Sequence, residues 1–423
     1  MKRARHAIAP ALAAFVLAMG IAGAAFAQTT LTAYLLPGNQ ARQRAIMEYV
    51  VPRFEAMHPG VKVEVVWGRD RPDQLRTLIA GGADLDVAFV RLENFAELVK
   101  GGIYEPLDDY IGRHGFDLSN IADVAIESFT YEGKIYGLPF DSLPFNVTTL
   151  FVNLDILNTA GIVMPRYDLA DPYSGWTYDE FREILKKVTI DTDGDGTPNQ
   201  YGFGGTYGWI GNIARLLWNF GADLLVQTES GWAPGINTPA ALEALQFGRD
   251  LRFVDNVVGG NWPRGTMFSR HGAMGFIGTT IQNNVSFDWT LAPEPRGADG
   301  RWNIAHVNPM GIYSGSKHKD LAFEFIKFWL SDEVQFYMVD RDALPPLTWS
   351  AARRPEYVFT TTPPYDKTPF FFGRSRSLPV WAPGWEEIQG MMDATFPQVF
   401  NQNEESVQNL MINLERRIQS VLN

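Results

Sequence analysis

The 423 residues contain no cysteine. Disulfides, thiolate metal centres and cysteine nucleophiles are excluded, so the folded state has to be held by its core. Histidine is scarce as well, six in all, and none is spaced as a metal pair. Basic charge is in deficit: 36 Lys and Arg stand against 48 Asp and Glu, a formal net charge of −12. Nucleic acid and anionic membrane are poor partners for such a surface. No apolar run of about 18 residues occurs, which leaves no good transmembrane helix. There is no G-x-S-x-G elbow, no H-E-x-x-H and no Walker loop, and Gly202, Gly204, Gly205, Gly208 and Gly211 do not fit G-x-G-x-x-G. Asp108 with Asp109 and Glu386 with Glu387 could serve a glycosidase, but adjacent acids usually belong to solvated surfaces. The expectation is a protein that is not an enzyme.

What is present begins with an export signal. Lys2, Arg3 and Arg5 form a basic region, residues 11–22 an apolar one, and Ala25-Phe26-Ala27 a cleavage site. Residues 1–27 are therefore expected to be removed, which takes the formal charge from −12 to −15 and leaves 396 residues, enough for two domains. The signal has no cysteine to lipidate, so a protein free in the periplasm, and not a lipoprotein, is expected. Twelve Trp, fifteen Tyr and twenty-eight Phe are a heavy aromatic load, most of it core, with a minority left to line a pocket.

Along the chain, strand-like runs at 31–36, 61–67 and 85–90 alternate with helical spacing at Ala45, Ile46, Tyr49, Val50 and Phe54, where Pro52 should kink the helix, and at 74–80. That alternation predicts a mostly parallel sheet flanked by helices. Ligands sit beyond the carboxyl ends of such strands, which places Asn39, Gln40, Trp67, Arg69, Arg91 and Glu93 near a cleft. Two further runs, 135–140 and 148–153, are separated by a segment carrying Pro144, and Pro139 lies inside the first. Each proline removes a ladder donor, so this stretch reads as chain leaving one sheet and entering another. Thr177 and Glu180 spell a capping box flanked by Trp176 and Phe181, and Thr238-Pro239 opens another helix. Strands follow at 287–292 and 305–313, helices from Lys319 and after Ser331, and two amphipathic helices close the chain.

Asp191, Asp193 and Asp195, followed by Gly196, match the first half of an EF-hand loop, in which carboxylates at positions 1, 3 and 5 converge on a hard cation. Position 12 is Gly202 instead of glutamate. A structural calcium and an empty, solvated acidic turn both remain open here, and no other cofactor is required.

Several segments occur in an order that resembles the extracellular solute-binding proteins of ATP-driven importers, above all the sugar-binding group typified by maltose-binding protein. They are PRFEAMHPGVKVEVV, GGADLDVAFV, EGKIYGLPFD, LFVNLDILNTAGI, SGWTYDEFREILKKVT with DTDGDGTPNQYGF, SRHGAMGFIGTT, and SKHKDLAFEFIKFWLSDEVQ followed by LPP. The resemblance implies an α/β protein with the two-lobed type II periplasmic-binding-protein fold, each lobe a mixed, mostly parallel sheet flanked by helices. Residues 28–140 with 293–340 would form one lobe and 141–292 with 341–423 the other. Three hinge crossovers would fall near 140–145, 290–292 and 340–344, with a sugar or polyol bound between the lobes and passed to membrane permease subunits by a monomer. By position in the resemblance, Trp67, Arg91, Glu93 and Asp141, with Asn39 beside them, supply one wall. Tyr207, Trp209, Thr279, Thr280, Trp381 and Trp385 supply the other, with Asn308 near the crossovers. Core packing is the competing reading for each aromatic. The rival functions are a binder of a cationic ligand such as a polyamine, a secreted glycan-active enzyme, and a purely structural interaction protein.

Overall fold

The apolar runs assemble into two main sheets in a computed structural model, which describes residues 28–68, 72–145, 148–168, 171, 173–204, 207–259, 272–278, 287–298 and 300–423. The export signal, Arg69, Thr279 and Thr280 lie outside the described residues. The first sheet has the order Val61–Trp67, Thr29–Leu35, Val87–Phe89, Asn308–Ile312, Leu138–Asp141. Its first three strands pair in parallel, as the alternation of strand and helix requires. The strand Asn308–Ile312 enters antiparallel to both neighbours. The second sheet runs Trp289–Ala292, Thr148–Asn153, Gly272–Gly278, Tyr201–Phe203, with its last pair parallel and the others antiparallel.

Local chemistry accounts for the details. Pro139 is tolerated because Leu138–Asp141 is an edge strand, and Pro139 stands opposite Pro309 beside a register shift. The kink expected at Pro52 takes the form of a widened π turn, Ile46–Val50, between the helices Gln40–Ala45 and Val51–Met57; the Val51 N–H reaches the Ile46 carbonyl. The capping box is formed: Thr177 N–H donates to Glu180 Oε2 at 2.8 Å and Glu180 N–H to Thr177 Oγ1 at 3.2 Å. Trp176 and Phe181 meet edge to face at 5.7 Å, and the helix Tyr178–Val188 follows.

The chain passes from the first sheet to the second between Asp141 and Thr148. Its return differs from the expected 290–292. Beyond Ala292 the chain still belongs to the second sheet's helices: Glu294 meets Arg215 at 2.6 Å, and Trp302 N–H donates to Asn219 Oδ1 at 3.1 Å. Two buried side chains of the helix Ile210–Asn219 thus hold residues 294–302, and the passage comes at 305–307. The third passage is also later than 340–344. Asn39 donates to the Asp342 carbonyl and Arg42 to that of Ala343, both at 3.3 Å, and Asn120 donates to Ser350 at 3.0 Å. The chain reaches the second lobe by Phe372, whose ring faces Tyr167 at 5.2 Å. A separate apolar cluster, with Leu143, Phe145, Phe151, Trp289, Leu291 and Phe370, fills the hinge side.

Candidate functional site

The start of the first passage is fastened to one buried guanidinium. Asn39 caps the helix Gln40–Ala45 by accepting from Arg42 N–H at 2.8 Å. The Arg42 side chain donates from Nη1 to Asp141 Oδ2 at 2.9 Å and from Nε to the Ala343 carbonyl. Asp141 Oδ1 accepts from Asn308 Nδ2 at 2.6 Å, and Asn308 Oδ1 accepts from Leu92 N–H at 3.0 Å. Arg42 and Asp141 are both nearly sealed from solvent, so their charges compensate each other inside the protein. This network ties Asp141 at the first passage, Asn308 just past the second and Ala343 to the start of the helix Leu92–Lys100.

Glu93, the second residue of that helix, faces the seam between the lobes. Its Oε1 lies 2.7 Å from Nε2 of His306, on the second passage. Burial alone would raise the Glu93 carboxyl, but the charge and hydrogen bond of His306 outweigh it and hold it down to about 2. Burial alone would likewise lower the imidazole, and Glu93 raises it above its ordinary value. Behind the imidazole stands Trp209, the residue that precedes the second-lobe helix Ile210–Asn219, edge-on with ring centroids 5.4 Å apart. From the helix Trp385–Asn401, burial keeps the Asp393 carboxyl above its usual range, and Glu93's negative charge adds to this.

Two polar atoms here have no hydrogen-bond partner among the described residues although each is buried: Glu93 Oε2 and Trp385 Nε1. Both residues line one cavity of about 640 Å³ between the helix Leu92–Lys100 and residues 380–386, shared with Arg76, Glu97, Lys100 and Glu386. Its size is that of a small-molecule site. Glu93 and Trp385 thus bring to its wall a buried acceptor and a buried donor without partners among the described residues, and buried polar atoms of that kind call for a partner.

The sequence profile of the bacterial extracellular solute-binding protein family matches residues 37–336. The chain belongs to this family. An uncharacterized lipoprotein in the oleD 5′ region of Streptomyces antibioticus is 24% identical over 303 residues, 68% of this chain and 63% of that protein. A maltotriose-binding protein of Pyrococcus abyssi is 22% identical over 279 residues, 65% of this chain and 51% of its own. A lactose-binding protein of Rhizobium radiobacter is 25% identical over 358 residues, 78% of this chain and 76% of its own. This solute-binding protein thus spans under two thirds of the length of the first two. An ABC substrate-binding protein of Listeria monocytogenes, solved with cycloalternan, superposes with a TM-score of 0.74 at 22% identity over 93% of this chain and 98% of that one. That likeness shows the fold: the two-lobed, type II periplasmic-binding-protein architecture.

Of the residues expected to line the site, the structure of this solute-binding protein brings Glu93, Trp209 and Trp385 to the seam, with Arg91 half-buried just ahead of Glu93. Trp67 is half-buried at the end of its strand, in register with Leu35. Asn39, Asp141 and Asn308 are at the hinge, but their side chains are bonded to protein and hold the passages. Tyr207 is a correction. It is buried against Phe400 at 5.3 Å and Phe203 at 6.1 Å, because its large apolar ring completes the second lobe's core, and burial pushes its hydroxyl pKa up. Trp381 is another: it stacks on Tyr131 of the first lobe at 5.0 Å and donates to the Ser128 carbonyl at 3.1 Å, so it clamps the lobes together instead of lining the second wall.

Three residues escaped the sequence reading. Arg42 finds its partners 99 and 301 positions away, His306 finds Glu93 213 away, and Asp393 reaches the seam only through helix packing. No spacing rule connects such pairs.

In the acidic loop, Asp191 accepts from the backbone N–H groups of Gly194 at 2.6 Å and Gly196 at 2.7 Å, which hold its carboxyl below the usual range. Oxygens of Asp191, Asp193 and Asp195 lie within 4.8 Å of one another, a spacing that suits a hard cation. Gly202 brings no carboxylate; its N–H donates to Thr189 Oγ1 at 2.9 Å.

Proposed function

We propose that this solute-binding protein is the substrate-binding subunit of an ATP-driven importer, that it takes up a saccharide or polyol in the seam between its lobes, and that it delivers it to membrane permease subunits. The observation that carries this reading is that Glu93 and Trp385, each with a buried polar atom unmatched among the described residues, line one cavity between the helix Leu92–Lys100 and residues 380–386. A sugar presents hydroxyls that donate and accept along its rim and apolar C–H faces that lie on indole, which is the chemistry those groups leave unsatisfied. Bound sugars in the names of relatives support the same class. The protein acts free in the periplasm as a monomer after its signal is removed, requires no redox or organic cofactor, and uses the Asp191 loop for a structural calcium. It binds without turnover.

The test is thermal unfolding of the mature chain against mono- and oligosaccharides, polyols and polyamines. A ligand at 100 times its Kd adds about 2.7 kcal/mol if it binds only the folded state. A shift with one saccharide class, and no product on long incubation, is expected. A shift with polyamines alone would transfer the site to a cationic ligand, and released product would make the protein an enzyme.

A further inference from the structure

We propose that His306 is a positioning residue for ligand capture: placed on the passage between the lobes, it holds one oxygen of Glu93 so that the other is left for the ligand, and capture weakens when the imidazole loses its proton. The proposal rests on the saccharide-binding reading above.

Its ground is where His306 stands. His306 is 5% exposed, and groups from both lobes meet on it: Glu93 of the first at 2.7 Å and Trp209 of the second, edge-on at 5.4 Å. Two residues further on, Asn308 is fastened to Asp141 and to the start of Glu93's own helix. A shift of His306 therefore moves the binding carboxylate, the indole behind it and the hinge together. The charged groups around it are few. Glu93 favours the imidazolium most, Arg91 opposes it, and Asp141 favours it weakly from the edge strand. Asp393, on the helix Trp385–Asn401, acts on Glu93. Trp209 brings no charge.

With the imidazolium in place, Glu93 has a charge-assisted partner and stays in the wall of the cavity that it lines. Without it, a buried carboxylate loses its nearest countercharge, a costly state that moving toward water relieves. The imidazole's pKa is raised in this arrangement, so its contribution is complete below the ordinary value of about 6.5 and is lost as pH rises through the raised one. Affinity should then fall on the alkaline side.

Two measurements decide it. Ring ¹⁵N signals of histidine-labelled protein, followed from pH 5 to 10 without ligand, should show one histidine titrating above the ordinary value. That signal should be absent in His306→Gln and should move down in Glu93→Gln. Calorimetric titration with the saccharide selected by the thermal panel should then give wild-type affinity falling about ten-fold for each unit by which closure raises the pKa. His306→Gln should be flat across the window, and His306→Lys, whose ammonium keeps its proton to higher pH than an imidazolium, should restore tight binding at alkaline pH. Wild-type affinity that is flat from pH 6 to 9, or a His306 titrating at or below its ordinary value, overturns the proposal. A panel in which no saccharide binds sinks the functional reading instead, and the effect of Glu93→Gln on the ring titration still tests the geometry.

Discussion

Arg42 shows how much a single buried charge can organise. Its guanidinium pairs with Asp141 and bonds to the Ala343 carbonyl, so the start of the first passage and a segment about 200 positions further on share one partner. Replacing it as Arg42→Met leaves Asp141 buried with its charge uncompensated, and a loss of about 3–5 kcal/mol in urea unfolding is expected. A loss below about 1 kcal/mol would mean that the pair is not sealed in solution. Glu93 makes a second prediction. Because its pKa is depressed to about 2, its contribution to stability is present above the ordinary carboxyl range and is lost as pH falls toward 2. The stability difference between wild type and Glu93→Gln should therefore shrink between pH 5 and 2; a constant difference would deny the ion pair. Residue identity was legible in part: Glu93 could be placed from its position past a parallel strand, whereas Arg42 and His306 could not, since charge pairing between distant positions leaves no periodic trace.

At the scale of elements the local code was easier to read. The box at Thr177 and Glu180, the Thr238-Pro239 start and the Ser331 cap all appear where their spacing put them, because each uses partners within three residues. Thr177→Ala should cost about 1 kcal/mol in chemical denaturation. The return passage was misplaced for the converse reason: residues 294–302 are held by Arg215 and Asn219, long-range partners that no turn signal announces. Gly297 marks how closely that segment lies on the helix, since a Cβ there would stand 1.6 Å from the Asn219 carbonyl oxygen. Gly297→Ala should lower the thermal midpoint, whereas Gly390→Ala, with nothing within 4 Å, should not. Equal midpoints would show that the segment is not clamped.

For the whole molecule, the order of segments along the chain conveyed the two-lobed fold, while the site itself emerged only when lobes, hinge and C-terminal helices were assembled. Trp381 and Trp385 illustrate the limit. Both were expected on one wall, yet one clamps the first lobe and the other is sealed with an unmatched N–H, a difference set by packing four residues apart. If the Asp191 loop holds calcium, the ion should raise the thermal midpoint and a chelator should reverse it, with Asp193→Asn abolishing the effect. The central claim, that a saccharide is held between the lobes by Glu93 and Trp385, is tested most directly by calorimetric titration of the panel's best saccharide into wild-type and Trp385→Ala protein. The account predicts one saturable site in the wild type and a loss of about 100-fold in affinity in the variant. Undiminished binding by Trp385→Ala, with its fold intact, would contradict it.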